Sequence, residues 1–339
     1  MTCAPSIASM SLGRAWAGHS LETKLASAHD AGFKGIEVFY EDLEHLASTL
    51  PGGVTDANII TSASMFKSLA DQFQLIIIAL QPFMHFEGLV SEEDHRQKLK
   101  ALELWFKLAE VLQTNTIQVP SNFLGNGITD DRSRIVSDLR RLADAGMKQK
   151  PPIRFAYEGL CWGRFVNKWQ QVWEIIQAVD RPNFGMCLDL FHILGRDWAN
   201  PAADDGKIGP EADTRLHDSL REMVQTLDID KVYYVQAANA ERAGLPMRPG
   251  HQWWSDDQPA RLTWSRNMRL FPFENGSYMP DEEALAAVLL PRPLGLGYRG
   301  WVSMELFSRS MASSDPGVPR RHAERGIESW NIIKNKYQL

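Results

Sequence analysis

Phe155-Ala156-Tyr157-Glu158, Met186-Cys187-Leu188-Asp189, Tyr233-Tyr234-Val235-Gln236 and Val302-Ser303-Met304-Glu305 decide how this chain is read. In each, a short apolar run of strand-forming residues stops at a Glu, Asp or Gln and passes into a loop. One such ending means little. Four in series, separated by helix-length intervals, imply oxygen donors converging at one end of a parallel barrel. That is the end at which such barrels do chemistry.

Working outward from these runs, residues 6–12, 35–40, 75–80 and 116–120 supply four more strand patterns. Amphipathic segments lie between them, at 21–31, 96–112 and 166–179. The clearest, 96–112, carries an apolar stripe of Leu99, Leu102, Phe106, Ala109 and Leu112. Its spacing of three to four residues is that of a helix lying on a sheet. Glycine or proline marks the junctions, as at Gly32, Pro82, Pro151-Pro152 and Pro182. Eight β-then-α units predict an α/β fold, a (β/α)8 TIM barrel closed within a single domain over residues 1–339. An open doubly wound sheet would place its ligand loop early, and no Gly-x-Gly-x-x-Gly follows the first strand. Two intervals exceed the regular spacing. Residues 198–210 read as a surface loop, and 237–280 form a long loop between strands seven and eight. A loop of that length in a compact domain is functional or disordered, and Trp253, Trp254 and Trp264 argue against disorder. Residues 320–337 read as a closing helix with a solvated basic face.

An apolar fraction of 44% and a charged fraction of 23% are those of a soluble globular protein. The net charge of −6 argues against a polyanion such as DNA as partner. The three cysteines, Cys3, Cys161 and Cys187, lack metal-ligand spacing, and their odd number fits a reducing compartment. The N-terminus has no apolar core of signal-peptide length, and no apolar stretch is long enough to span a membrane. The expectation is a cytosolic protein acting on a small molecule, with neither nucleic acid nor membrane as partner.

Glu158, Asp189, Gln236 and Glu305 offer hard oxygen donors. Such a set favours Mg2+ or Mn2+ as the one divalent ion, with Co2+ or Zn2+ also accommodated. Crowded carboxylates repel one another without a cation. His192 lies three residues beyond Asp189, where a first helical turn brings its ring back toward the acids. It is a candidate general base, with an ordinary pKa of about 6.5, or a histidine that only orients Asp189. His85 and Asn122, after the third and fourth strands, either bind substrate oxygens at the mouth or face solvent. Glu37 reads as a barrel residue paired with a cation, and Glu41 as a rim charge. In the long loop, Arg261, Arg266 and Arg269 either clamp a substrate carboxylate or stack structurally. Arg266 is the favoured clamp. His251 has no assigned role.

Seven stretches also carry a family resemblance. They are Ser9-Met10-Ser11-Leu12-Gly13-Arg14, Gly35-Ile36-Glu37-Val38-Phe39-Tyr40-Glu41-Asp42-Leu43 and Leu80-Gln81-Pro82-Phe83. The others are Gln118-Val119-Pro120-Ser121-Asn122-Phe123-Leu124, Gln258-Pro259-Ala260-Arg261, Trp264-Ser265-Arg266-Asn267 and Glu305-Leu306-Phe307-Ser308-Arg309. In these the chain resembles the fungal 3-dehydroshikimate dehydratases of the wider xylose-isomerase-like barrel superfamily. The resemblance implies a cytosolic hydro-lyase of quinate catabolism that converts 3-dehydroshikimate to protocatechuate and water. It also implies a divalent metal on Glu158, Asp189, Gln236 and Glu305, stabilising an enediolate. His192 would be the base, with Glu158 or Glu305 assisting. Some bacterial members show Glu-x-His after the fifth strand, whereas this chain has Glu158-Gly159-Leu160, so a base from that position is absent. The rival readings are a metal-dependent ketose isomerase or epimerase, an endonuclease, and a catalytically inactive barrel that senses a metabolite. A neutral sugar needs no carboxylate clamp, so the arginine-bearing loop favours an acidic substrate.

Overall fold

The computed structural model describes residues 2–339. Its strands are β1 (Ala4–Ala8), β2 (Gly35–Phe39), β3 (Ile76–Gln81), β4 (Thr116–Pro120) and β5 (Arg154–Glu158), then β6 (Phe184–Asp189), β7 (Val232–Ala237), β8 (Asn239–Ala240), β9 (Arg269–Leu270) and β10 (Trp301–Met304). Its helices are α1 (Leu21–Ala31), α2 (Tyr40–Ser48), α3 (Asp56–Gln72), α4 (Glu92–Leu112), α5 (Arg132–Met147) and α6 (Trp169–Val179), then α7 (Leu190–Asp197), α8 (Ala212–Thr226), α9 (Ala260–Met268), α10 (Asp281–Leu289) and α11 (Val318–Tyr337). The parallel strands close in the order β1-β10-β7-β6-β5-β4-β3-β2, so the predicted eight-stranded barrel is the observed one. Among the described residues no helix is long and apolar enough to cross a membrane. The three cysteines are buried free thiols.

The period of two along each strand divides the side chains between two cores. Phe155 and Tyr157, Met186 and Leu188, and Val302 and Met304 face outward into the main core beneath the helices. The residues between them point into the barrel. There Ile78, Ala79, Ala156, Cys187 and Tyr234 form a small separate plug. Gly35 leaves room for the floor of that plug, because a Cβ at this position would lie 2.8 Å from the Trp301 ring and 2.9 Å from Ile78. Above the plug the inward positions turn polar. The strand register sets Pro120 level with Glu158 and Asp189 level with Gln236.

Several boundaries differ from the sequence reading, and three of them have a clear local reason. The first strand stops at Ala8, because the Ser9 hydroxyl accepts the Phe39 amide and donates to Asp42, pulling residues 9–12 into a 3-10 turn. Helix α4 starts at Glu92 rather than residue 96. Ser91 caps it through the Asp94 amide, and Glu92, Glu93 and Asp94 complement the helix dipole. Its buried stripe is Leu102, Trp105, Leu108, Ala109 and Leu112, while Leu99 and Phe106 are only partly covered. The interval 237–280 is not one irregular loop. It contains α9 and an antiparallel ribbon that pairs Asn239 with Leu270 and Ala240 with Arg269.

Candidate active site

The residues that close the strand patterns meet above the barrel plug. Glu158 is the last residue of β5. Asp189 ends β6 and also caps α7, accepting the Phe191 amide at 2.7 Å. That dual role fixes the carboxylate and starts a helix at once. The first turn of α7 carries His192 back, so its Nε2 lies 3.3 Å from Asp189 Oδ2 and 3.4 Å from Glu158 Oε1. One ligand atom from each of Glu158, Asp189 and His192 lies within 4.8 Å of the other two. Glu305 follows β10 and belongs to the same cluster, because Arg269 Nη1 donates both to it at 2.8 Å and to Asp189 at 3.1 Å. Arg269 is buried, is steadied by the Ser265 hydroxyl at 2.9 Å, and lies 3.9 Å over the Phe191 ring.

Around this centre runs a belt of amides. Gln118 Nε2 donates to Glu158 Oε2, and the Gln118 carbonyl has no partner among the described residues. Gln81 Nε2 donates to Glu37 at 2.8 Å. Gln236 Nε2 donates to Glu37 at 3.0 Å and to Glu305 at 3.0 Å, while its Oε1 accepts from the Cys187 thiol. The expectation that Glu37 pairs with a cation is therefore corrected. Two neutral amides hold it, because at this height the barrel wall supplies glutamines. Gln236 reaches the cluster through its nitrogen rather than its oxygen.

Burial dominates the electrostatics. It pushes Glu37 up to about 7, against hydrogen bonds that lower it. Burial, reinforced by Asp189, lifts Glu158 well above the carboxylate range, and burial lifts Glu305 although Arg269 pulls it back. Burial also lowers His192 to about 3, Asp189 opposing and Arg269 adding to the shift. The Cys161 amide donates to His192 Nδ1 at 3.1 Å, while Nε2 lies 3.2 Å from Arg269 Nη2 as well as facing Asp189 and Glu158. Three carboxyl groups, Glu158, Asp189 and Glu305, thus gather around the Arg269 guanidinium, with Glu37 behind them on two amides. Glu158 has only neutral donors beside it, so the set has room for a further positive charge. Hard carboxylate oxygens with an imidazole suit a divalent ion.

A cavity of about 490 Å³ opens above the cluster, with Gln118, Glu158, His192, Arg269 and Glu305 on its lining. Phe39, Tyr40, Phe123, Trp162 and Phe307 give it aromatic walls, and Arg14 and Arg266 also line it. Arg266 keeps a single neutral partner, Gln258, at 3.1 Å. Arg261 is structural, donating to the Gly195 and Ala199 carbonyls. His85 and Asn122 hold each other at 3.1 Å, and neither is among the described residues lining the cavity. Asn122 is occupied by Glu87, which accepts its amide, and His85 packs edge-on against Phe123 at 4.5 Å. Glu41 is the expected rim charge, paired with Arg14 at 2.8 Å. The His251 ring accepts the Trp253 amide.

Sequence reasoning favoured Arg266 over Arg269 and gave Gln81 and Gln118 no role. The two glutamines did carry a signal, since each is a polar residue at an inward position of an otherwise apolar strand. Arg269 carried none, because only the ribbon of β8 and β9 aims it into the barrel.

The family model described as xylose isomerase-like TIM barrel matches residues 25–331. The chain is 46% identical to a 3-dehydroshikimate dehydratase of Neurospora crassa, over 96% of this chain and 91% of that protein. It is 29% identical to a 3-dehydroshikimate dehydratase of Pseudomonas putida over 94% of this chain, and spans only 41% of that longer protein. The solved IolI protein, which binds a zinc atom, superposes with a TM-score of 0.70 at 15% identity, over 98% of this chain and 99% of that one.

Proposed function

The chain belongs to the xylose isomerase-like TIM-barrel family, and from that premise we propose that it is a 3-dehydroshikimate dehydratase, a hydro-lyase that makes protocatechuate. The observation that carries this reading is the convergence of Glu158, Asp189 and His192 with Glu305 on one side of an aromatic-walled cavity, in a chain 46% identical to the Neurospora enzyme. Glu158, Asp189 and Glu305 would hold a divalent cation, Mg2+ or Mn2+ by their hard donors. Gln236 would complete the set after turning its amide over to offer Oε1. When bound, the cation supplies Lewis-acid polarisation of the substrate ketone.

The protein's own groups do the rest. Glu158 takes a proton from the ring carbon beside the ketone. The hydroxyl on the next carbon leaves, and the proton on Glu158 completes the water. Tautomerisation of the remaining ring gives the aromatic product, so one water is lost and no oxidant is needed. Of the two roles open to His192, the one supported is orientation. Its Nδ1 is taken by the Cys161 amide, and its Nε2 is enclosed by Asp189, Glu158 and Arg269 Nη2. Arg266 binds the substrate carboxylate. His85 and Asn122 act on the wall through Phe123 rather than on substrate oxygen. The aromatic walls fit a six-membered ring on its way to planarity.

The test is an absorbance assay for aromatic product from 3-dehydroshikimate, before and after EDTA treatment, with Mg2+, Mn2+, Co2+ and Zn2+ added back. We expect loss on stripping and recovery with at least one ion. No product with any of the four would remove the assignment. Undiminished turnover by stripped enzyme would remove the metal.

A further inference from the structure

We propose that Arg14, from the turn after the first strand, shares the substrate carboxylate with Arg266 as a two-arginine clamp, and that Glu41 is the residue positioning Arg14. This rests on the dehydratase reading and adds a binding residue to it.

The cavity has two chemically distinct ends. The deep end is lined by Glu158, Glu305 and Arg269, and Arg269 is engaged there by Glu305 and by Asp189 behind it. An anionic group is repelled there. The outer wall carries Arg14 and Arg266, and both line the same cavity. Arg14 donates one Nη1 to Glu41 at 2.8 Å, and Arg266 donates one Nη1 to Gln258 at 3.1 Å. A guanidinium has five N–H donors, so each side chain retains capacity for a carboxylate oxygen. The two lie close enough for the Arg14 charge to disfavour the charged form of Arg266, adding to burial. An anion between them relieves that repulsion.

Arg14 is also held in place before any substrate arrives. Its backbone amide donates to the Met311 carbonyl at 2.9 Å. The preceding Gly13 has φ of 114°, and a Cβ there would lie 2.5 Å from the His19 ring. Its guanidinium lies 6.0 Å from the Phe307 ring, which meets Phe39 edge-on at 6.1 Å. 3-Dehydroshikimate and protocatechuate carry their two neighbouring ring oxygens meta and para to the carboxylate, on the far half of the ring. A ring set against Phe307 therefore presents oxygens to the acidic end and its carboxylate to Arg14 and Arg266.

The test compares binding of protocatechuate with that of catechol, which lacks only the carboxylate, by calorimetry on the Mn2+-loaded protein. The wild type should prefer protocatechuate. Arg14→Met should weaken protocatechuate by about 10- to 100-fold, the range of a hydrogen bond to a charged group, with catechol unchanged. Arg14→Lys should recover part of the loss. Glu41→Gln, which keeps the side-chain shape, should weaken protocatechuate alone and by less, and it decides the matter if Arg14→Met does not fold. Equal loss of both ligands in Arg14→Met, or an undiminished preference for protocatechuate, would overturn the clamp. A wild type that turns over 3-dehydroshikimate while Arg14→Met keeps its preference removes the clamp alone. A wild type without turnover removes the underlying activity.

Discussion

Two cavities open at opposite ends of the barrel, one of about 850 Å³ among the strand starts and one of about 490 Å³ among the strand ends. Ile76, Thr116, Arg154, Tyr233 and Trp301, each at or near the start of its strand, border the larger one. Among the described residues no buried carboxylate lines it; Arg154 stacks on Tyr233 at 4.7 Å and donates to the Thr116 hydroxyl. The smaller one collects three carboxylates, an imidazole and a guanidinium out of water. Volume follows from how the plug of Ile78, Ala79, Ala156, Cys187 and Tyr234 fills the barrel. Function follows from charges held where burial opposes them, and only the strand-end cavity does that.

The contrast breaks most easily at the acids. Glu158→Gln or Glu305→Gln should reduce turnover by about 10^2- to 10^3-fold or more, measured by protocatechuate absorbance at saturating Mn2+. Near-normal rates would mean that the polar end is merely structural. Arg269→Met sharpens it. Removing one partner of a buried ion pair costs roughly 3–5 kcal/mol, so the metal-free variant should melt well below the wild type. Added Mn2+ should raise the Tm of the variant more than that of the wild type, because the ion replaces the missing charge. Equal shifts would show that no cation enters between Asp189 and Glu305. His192→Asn separates the two roles of that ring. An orienting residue predicts a loss of about 10- to 100-fold in kcat or metal affinity with an unchanged pH profile. A general base predicts about 10^2- to 10^4-fold and a lost acidic limb. The smallest effect is expected at the other end. Ile76→Asn, on the larger cavity and 59% exposed, should change stability by no more than about 0.5 kcal/mol and leave KM untouched. A changed KM would mean that the lower cavity also serves the substrate.

Much of this contrast was written in the strand patterns. A run such as Met186-Cys187-Leu188-Asp189 is legible because alternation assigns each residue to one face, and an acid at an inward terminal position has no cheap place except a site. The first turn of α7 made the return of His192 equally legible. Contacts that depend on distant pairings were not. Arg266 and Arg269 differ by three residues in one arginine-rich segment. Arg269 enters the acid cluster because it pairs with Ala240 in the ribbon, while Arg266 stays on α9 facing the outer wall. His85 and Asn122 sit on loops of suitable position, but they are turned to each other because Asn122 Nδ2 donates to the backbone carbonyl of Glu87, thirty-five residues earlier, leaving Oδ1 toward His85.

The amino-acid order by itself determined the barrel and the four oxygen-bearing ends, because hydrophobic period and strand termini are local properties of neighbouring residues. Tertiary structure alone decided which cation meets the acids, which glutamines brace them, and which arginines face the cavity. Those outcomes depend on barrel closure bringing side chains from remote strands to one height, where loss of solvent makes each charge choose a partner.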